Sequence, residues 1–119
     1  MNAPVRTVIV DDEAPARERL ATLLDAHPRV RIVGQAADIE SAAELCILLR
    51  PDLVLLDVEL RRENGFDLLP RLTSSTAIIF ISAHECYAQR ASQANALDFL
   101  LKPIHPDRLA AALAELSIH

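Results

Sequence analysis

Glycine is nearly missing from this chain, with only Gly34 and Gly65 among 119 residues. That scarcity excludes the glycine-rich turns by which dinucleotide folds and P-loop nucleotidases bring backbone N–H groups against phosphate. Tryptophan is absent and aromatics make up 3%, while 51% of residues are hydrophobic, so any core must be aliphatic. The two cysteines, Cys46 and Cys86, have neither metal-ligand spacing nor a disulfide-rich context, which fits a reducing, cytoplasmic setting. No apolar run approaches the roughly 18 residues a membrane span needs. The N-terminus lacks the charged-then-apolar pattern of a secretory signal. The formal net charge is −5 and the arginines are scattered without a basic stripe, so there is no electrostatic footprint for nucleic acid. No repeat, low-complexity tract or linker is seen, and the length fits one domain over 1–119. A chain of this size buries roughly two thirds of its unfolded surface, enough for a core without staples.

Lysine is the other scarcity. Eleven arginines stand against one lysine, Lys102. A genome bias toward arginine accounts for the eleven and leaves the exception. An ammonium is a compact point charge on a flexible stem, suited to a single phosphate oxygen, whereas a guanidinium is a planar fork.

What is present is an alternation of strand-like and helix-like segments. Strands are expected at about Arg6 to Val10, Val30 to Ala36, Leu53 to Leu56, Ala77 to Ile81 and Leu97 to Leu101. Leu53 to Leu56 has no polar break, the pattern of a central parallel strand buried on both faces. Helices are expected at about Ala14 to Ala26, from an Asp38 cap to Arg50, near Phe66 to Leu72, over Glu85 to Gln93, and from Pro106 with Leu109, Leu113 and Leu116 as its stripe. Pro70 makes the third of these short, kinked or late. The fourth is polar and alanine-rich, hence weakly anchored. Right-handed crossovers then give an α/β, (βα)5 three-layer sandwich.

Four of the apolar runs end in residues able to do chemistry, and strand carboxyl ends are where open α/β sheets bind ligands. The first runs into Asp11, Asp12 and Glu13, the second into Asp57, the third into Ser82 and the last into Lys102 and Pro103. The acidic trio either complements the dipole of the helix that follows or holds a hard cation such as Mg²⁺. Gly65 lies eight positions beyond Asp57, so Asp57 does not directly cap the third helix. A carboxylate there can attack phosphorus and form an acyl phosphate, given a metal and an ammonium to neutralise the donor. Ser82 is either a turn serine or a donor to a phosphoryl oxygen. Pro103 biases Lys102 toward extended backbone, and a cis bond is allowed there.

Together these residues resemble the receiver domain of bacterial two-component response regulators over essentially the whole chain. The resemblance implies a flavodoxin-like fold with a parallel five-stranded sheet in order 2-1-3-4-5. It implies Asp57 as phosphoacceptor, with Ser82 and Lys102 assisting. Asp12 and Asp57 would be direct Mg²⁺ ligands, Asp11 would act mainly through a water, and the Glu59 backbone carbonyl would complete the set. Ser82 and Phe99 would form a switch, and the positions two beyond Asp57 and Ser82, Glu59 and His84, would tune dephosphorylation. The plain alternative is that Glu59 and His84 face solvent and are inert. The stretch from Ala77 to Pro103, including Ser82-Ala83-His84-Glu85-Cys86-Tyr87-Ala88, resembles receivers that precede a LytTR-type DNA-binding domain. The implied partners are a sensor histidine kinase, a second copy through helix four, strand five and helix five, and DNA only through an output domain. No output domain is present here, and a truncated receiver is expected over a single-domain regulator. Arg61 and Arg62 occupy the loop where the family usually has a proline, so that loop is expected to be looser. An interaction module independent of phosphorylation, a flavodoxin-like cofactor binder and an aspartyl-nucleophile phosphatase are competing readings. The cofactor binder would want a Ser/Thr/Gly-rich loop after strand one, and the phosphatase a cap region that no insertion here is long enough to make.

Overall fold

The computed structural model describes residues 3–118; the outermost positions of the expected 1–119 domain lie outside the described residues. Five parallel strands form one sheet: β1 (Val5–Val10), β2 (Val30–Ala36), β3 (Leu53–Asp57), β6 (Ala77–Ser82) and β7 (Asp98–Leu101), in the order β2-β1-β3-β6-β7. Two short strands between β3 and β6, namely β4 (Glu59–Leu60) and β5 (Glu63–Asn64), pair antiparallel beside the sheet. Setting them apart, the order is the expected 2-1-3-4-5. Helices α1 (Ala14–Leu24), α2 (Ile39–Leu49), α3 (Ala88–Gln93) and α4 (Pro106–Ala114) complete the alternation.

The sheet separates two aliphatic cores. Leu53 and Leu55 of β3 point with Ile9, Ile79 and Leu100 toward Leu20 and Leu24 of α1 and Leu109 and Leu113 of α4. Val54 and Leu56 point the other way, with Val8, Val10 and Phe80, toward Ala42, Ala43 and Cys46 of α2 and Ala91 of α3. Every residue of β3 is buried, so the strand without a polar break is indeed the central one.

Three expectations are corrected. The third helix is a 3₁₀ helix, Gly65–Arg71, with Pro70 inside it. Proline lacks an N–H and clashes with the carbonyl four residues back, which disfavours α-helix there. The fourth helix opens as a 3₁₀ turn, Glu85–Tyr87, and is α-helical only from Ala88. The Arg61–Arg62 segment is not a loose loop but the tip of the β4–β5 hairpin, with Arg62 in the left-handed region at φ 62°. Leu60 is buried under the hairpin, and Glu63 Oε1 accepts the Ile39 N–H at 3.1 Å, tying it to the start of α2.

Candidate functional site

The carboxyl ends of β1 and β3 lie side by side, because Val10 pairs with Leu56. Asp11 and Asp57 therefore meet at the sheet edge, where both are buried. The Asp11 main chain is anchored by its N–H to the Ala36 carbonyl at 3.1 Å and by Arg17, whose Nη1 donates to the Asp11 carbonyl at 2.6 Å. Asp11 Oδ1 accepts the Glu13 N–H at 2.9 Å, which folds the acidic turn back on itself. Asp12 joins them. One carboxylate oxygen from each of Asp11, Asp12 and Asp57 lies within 4.8 Å of the others. A donor set made only of carboxylate oxygens suits a hard divalent cation such as Mg²⁺.

Lys102 reaches the same point from the far end of the chain. The Lys102–Pro103 peptide is cis. Lys102 is held by its own N–H to the Ser82 carbonyl at 2.8 Å, and its Nζ donates to Asp11 Oδ2 and to Asp57 Oδ2, each at 3.2 Å. Burial pushes the Asp57 carboxyl up to about 6, against the opposing pull of the Lys102 ammonium. Burial works against the Lys102 charge as well, but Asp57 and Asp11 outweigh it and hold the ammonium above its ordinary value.

Gly65 packs against the end of β3. A Cβ there would sit 2.3 Å from the Asp57 carbonyl oxygen. The glycine N–H bonds the Val58 carbonyl at 2.7 Å, and the Val58 N–H bonds the Ile81 carbonyl at 2.9 Å. The backbone just beyond Asp57 is thus clamped between the hairpin and β6.

Ser82, fully buried at the end of β6, accepts the His84 N–H at 2.9 Å and donates its own proton to Glu59 Oε2 at 2.6 Å. Glu59 is half-buried, so facing solvent describes His84, whose side chain is exposed, and not Glu59. Phe99 is half-buried against the α2–α3 side of the core. It lines a cavity of about 270 Å³ with Ala88, Ala91 and Ser92 of α3. Arg61 lines a cleft of about 400 Å³ with Asp12, Glu13 and Asp38, at the mouth of the acidic cluster.

Asp11, Asp12, Asp57, Glu59, Ser82, His84 and Lys102 thus lie at or beside one end of the sheet, while Phe99 sits within β7, paired with Phe80. The Glu59 side-chain contact and the Arg17 anchor were not foreseen. Arg17 carries the weak signal of an arginine one turn after the acidic trio; the Glu59–Ser82 contact joins residues far apart in sequence and has none.

A family model described as the response regulator receiver domain matches residues 7–114. The chain is 38% identical over 112 residues to the sensory transduction protein LytT of Bacillus cereus, covering 92% of this chain and 46% of that protein. It is 41% identical over 112 residues to LytT of Bacillus subtilis, with 92% and 46% covered. The chain thus spans about half the length of the curated relatives it matches. The crystal structure of the response regulatory domain of protein mrkE from Klebsiella pneumoniae superposes with a TM-score of 0.84 at 27% identity, covering 95% of each chain. Among the described residues no helix is long and apolar enough to cross a membrane. With its parallel sheet in receiver order, its acidic edge and a family match over most of its length, this chain belongs to the response regulator receiver domains of two-component systems, similar to those of LytT-type regulators.

Proposed function

We propose that the chain accepts a phosphoryl group on Asp57 from the phosphohistidine of a sensor histidine kinase and so switches an output. The observation that carries this reading is the buried Asp57 carboxylate at the end of the central strand, 3.2 Å from the only lysine and grouped with Asp11 and Asp12. With a carboxyl value of about 6, Asp57 is largely ionised near neutral pH and able to act as nucleophile. One carboxylate oxygen attacks phosphorus, the phosphorus–nitrogen bond breaks, and its electron pair leaves with the imidazole nitrogen, which takes up a proton. Asp12 and Asp57 would hold Mg²⁺ directly, Asp11 through a water, and the Glu59 carbonyl would complete the protein ligands. The bound ion would neutralise and orient the phosphoryl oxygens. Lys102 would leave its double carboxylate pairing for a phosphoryl oxygen. Arg61, at the cleft mouth, would attract the anionic donor.

Ser82 and Phe99 would then shift together and bias the surface of α3, β7 and α4, the counterpart of the expected helix four, strand five and helix five. That surface is where a second copy would pair. Glu59 and His84 would govern access of the water that hydrolyses the acyl phosphate; equal decay rates for Glu59→Asn and wild type would sink that role. The module is a signalling device, its chemistry confined to its own phosphorylation and dephosphorylation. It would work in the cytoplasm, and reach DNA only through a LytTR-type output domain in the full-length regulator.

Intact-protein mass after incubation with acetyl phosphate tests the reading. A Mg²⁺-dependent phosphoryl adduct is expected for wild type and its loss for Asp57→Asn. No adduct under conditions that label a control receiver would favour a phosphorylation-independent interaction module.

A further inference from the structure

A serine hydroxyl has one proton to give. In this structure Ser82 gives it to Glu59 Oε2 at 2.6 Å, a length typical of a hydroxyl bonded to a charged carboxylate. The His84 N–H, 2.9 Å from Oγ, is the hydroxyl's second partner. Ser82 is fully buried, so water cannot readily replace either bond. The carboxylate itself is carried on β4, which is fixed by β5 and by the bond from Ile39 to Glu63. A phosphoryl oxygen on Asp57 can receive the Ser82 proton only after Glu59 has lost it.

We propose that the Glu59 side chain is a positioning residue that sequesters the switch hydroxyl and thereby sets the threshold for activation. This rests on the receiver reading above and goes beyond it. In the sequestered state the Ser82 proton is already given to Glu59, and only the fraction of molecules with that bond broken is competent to switch. The apparent affinity for a phosphoryl group, or for an analogue of one, falls by that fraction. A hydrogen bond to a charged group is strong enough for removal of the carboxylate to raise that affinity by about tenfold. The rival account of any such gain is that Glu59 merely repels the phosphoryl anion.

The test is a double-mutant cycle on the whole chain with Glu59→Ala, Ser82→Ala and the pair. In the protein without ligand, urea unfolding should show the two sites coupled by about fivefold or more in the folding constant; no coupling would overturn the proposal. Beryllofluoride with Mg²⁺ is then titrated as the phosphoryl analogue. Glu59→Ala should bind it about tenfold more tightly than wild type, and the gain should vanish in the Ser82→Ala background. Glu59→Gln, which keeps an acceptor oxygen without the charge, should restore part of the wild-type threshold. A gain that persists without Ser82, with Gln behaving as Ala, would establish repulsion instead. Equal affinities for wild type and Glu59→Ala would overturn the sequestration alone. Failure of wild type to bind the analogue at all would overturn the receiver reading along with it.

Discussion

Helices α2 and α3 cover the same face of the sheet and are held in very different ways. Helix α2 has eleven residues, an Asp38 side chain that accepts the Ser41 N–H, the Glu63 carboxylate on Ile39, and a left-handed Arg50 closing its end. Four of its residues are buried. Helix α3 has six residues, enters from a 3₁₀ turn, has no side-chain cap and buries only Ala91. Its main side-chain tie is Arg90, whose guanidinium lies 4.2 Å from the Phe66 ring centre. The difference divides labour. The strands under α2, together with β3, hold the carboxylates in a fixed frame, while the element beside Phe99 is attached by fewer buried side chains and no cap. Local stability tracks buried apolar contact and capped ends, and moving elements come from the low end of that scale.

The largest effect that would sharpen this contrast is core truncation. Leu55→Ala in β3 should cost about 2–5 kcal/mol in urea unfolding. Phe99→Ala, half-buried beside α3, should cost less than Leu55→Ala despite removing a larger side chain; equal losses would break the contrast. Next is Gly65→Ala, which drives a methyl into the Asp57 carbonyl and should cost about 3 kcal/mol.

Asp57→Asn should act in the opposite direction and depend on pH. The Asp57 carboxyl titrates near 6 in the fold, above an ordinary carboxylate, so the fold favours its protonated form. Its contribution is fully present below the unfolded value and is lost as pH rises through about 6. Without metal, Asp57→Asn should therefore be more stable than wild type at pH 8, by about 2 kcal/mol, with the gain shrinking toward pH 4. A gain independent of pH would reject burial as its cause. The smallest effect is at the loose helix. Arg90→Ala should cost about 0.5–1 kcal/mol and speed hydrogen exchange in α3 while leaving α2 amides unchanged.

Much of the rigid half could be read from the chain. Runs such as Leu53 to Leu56 announce a doubly buried strand, and a strand end carrying Asp or Lys announces the site edge, because both signals are local. The β4–β5 hairpin could not be read. Glu59 to Asn64 contains no β-branched or aromatic residue, and Arg61-Arg62 is no recognised two-residue turn. Its order comes from the buried Leu60 and from Glu63 reaching the start of α2, both tertiary facts. The 3₁₀ form of Gly65–Arg71 was half legible in Pro70. The placement of the Ser82 proton was not legible at all, because the sequence lists a hydroxyl without saying which acceptor holds its hydrogen.

The double pairing of Lys102 also bears on how the molecule assembles during synthesis. Asp11 and Asp57 leave the ribosome long before Lys102, and β1 and β3 are free to pair as soon as both exist. Such a partial sheet would bring two carboxylates together before the ammonium that pairs them has been made. Docking of β7 would deliver the ammonium that relieves this repulsion, so the last strand to emerge would be drawn in by charge as well as by its apolar face. The acidic corner and the sheet would then be completed in the same event.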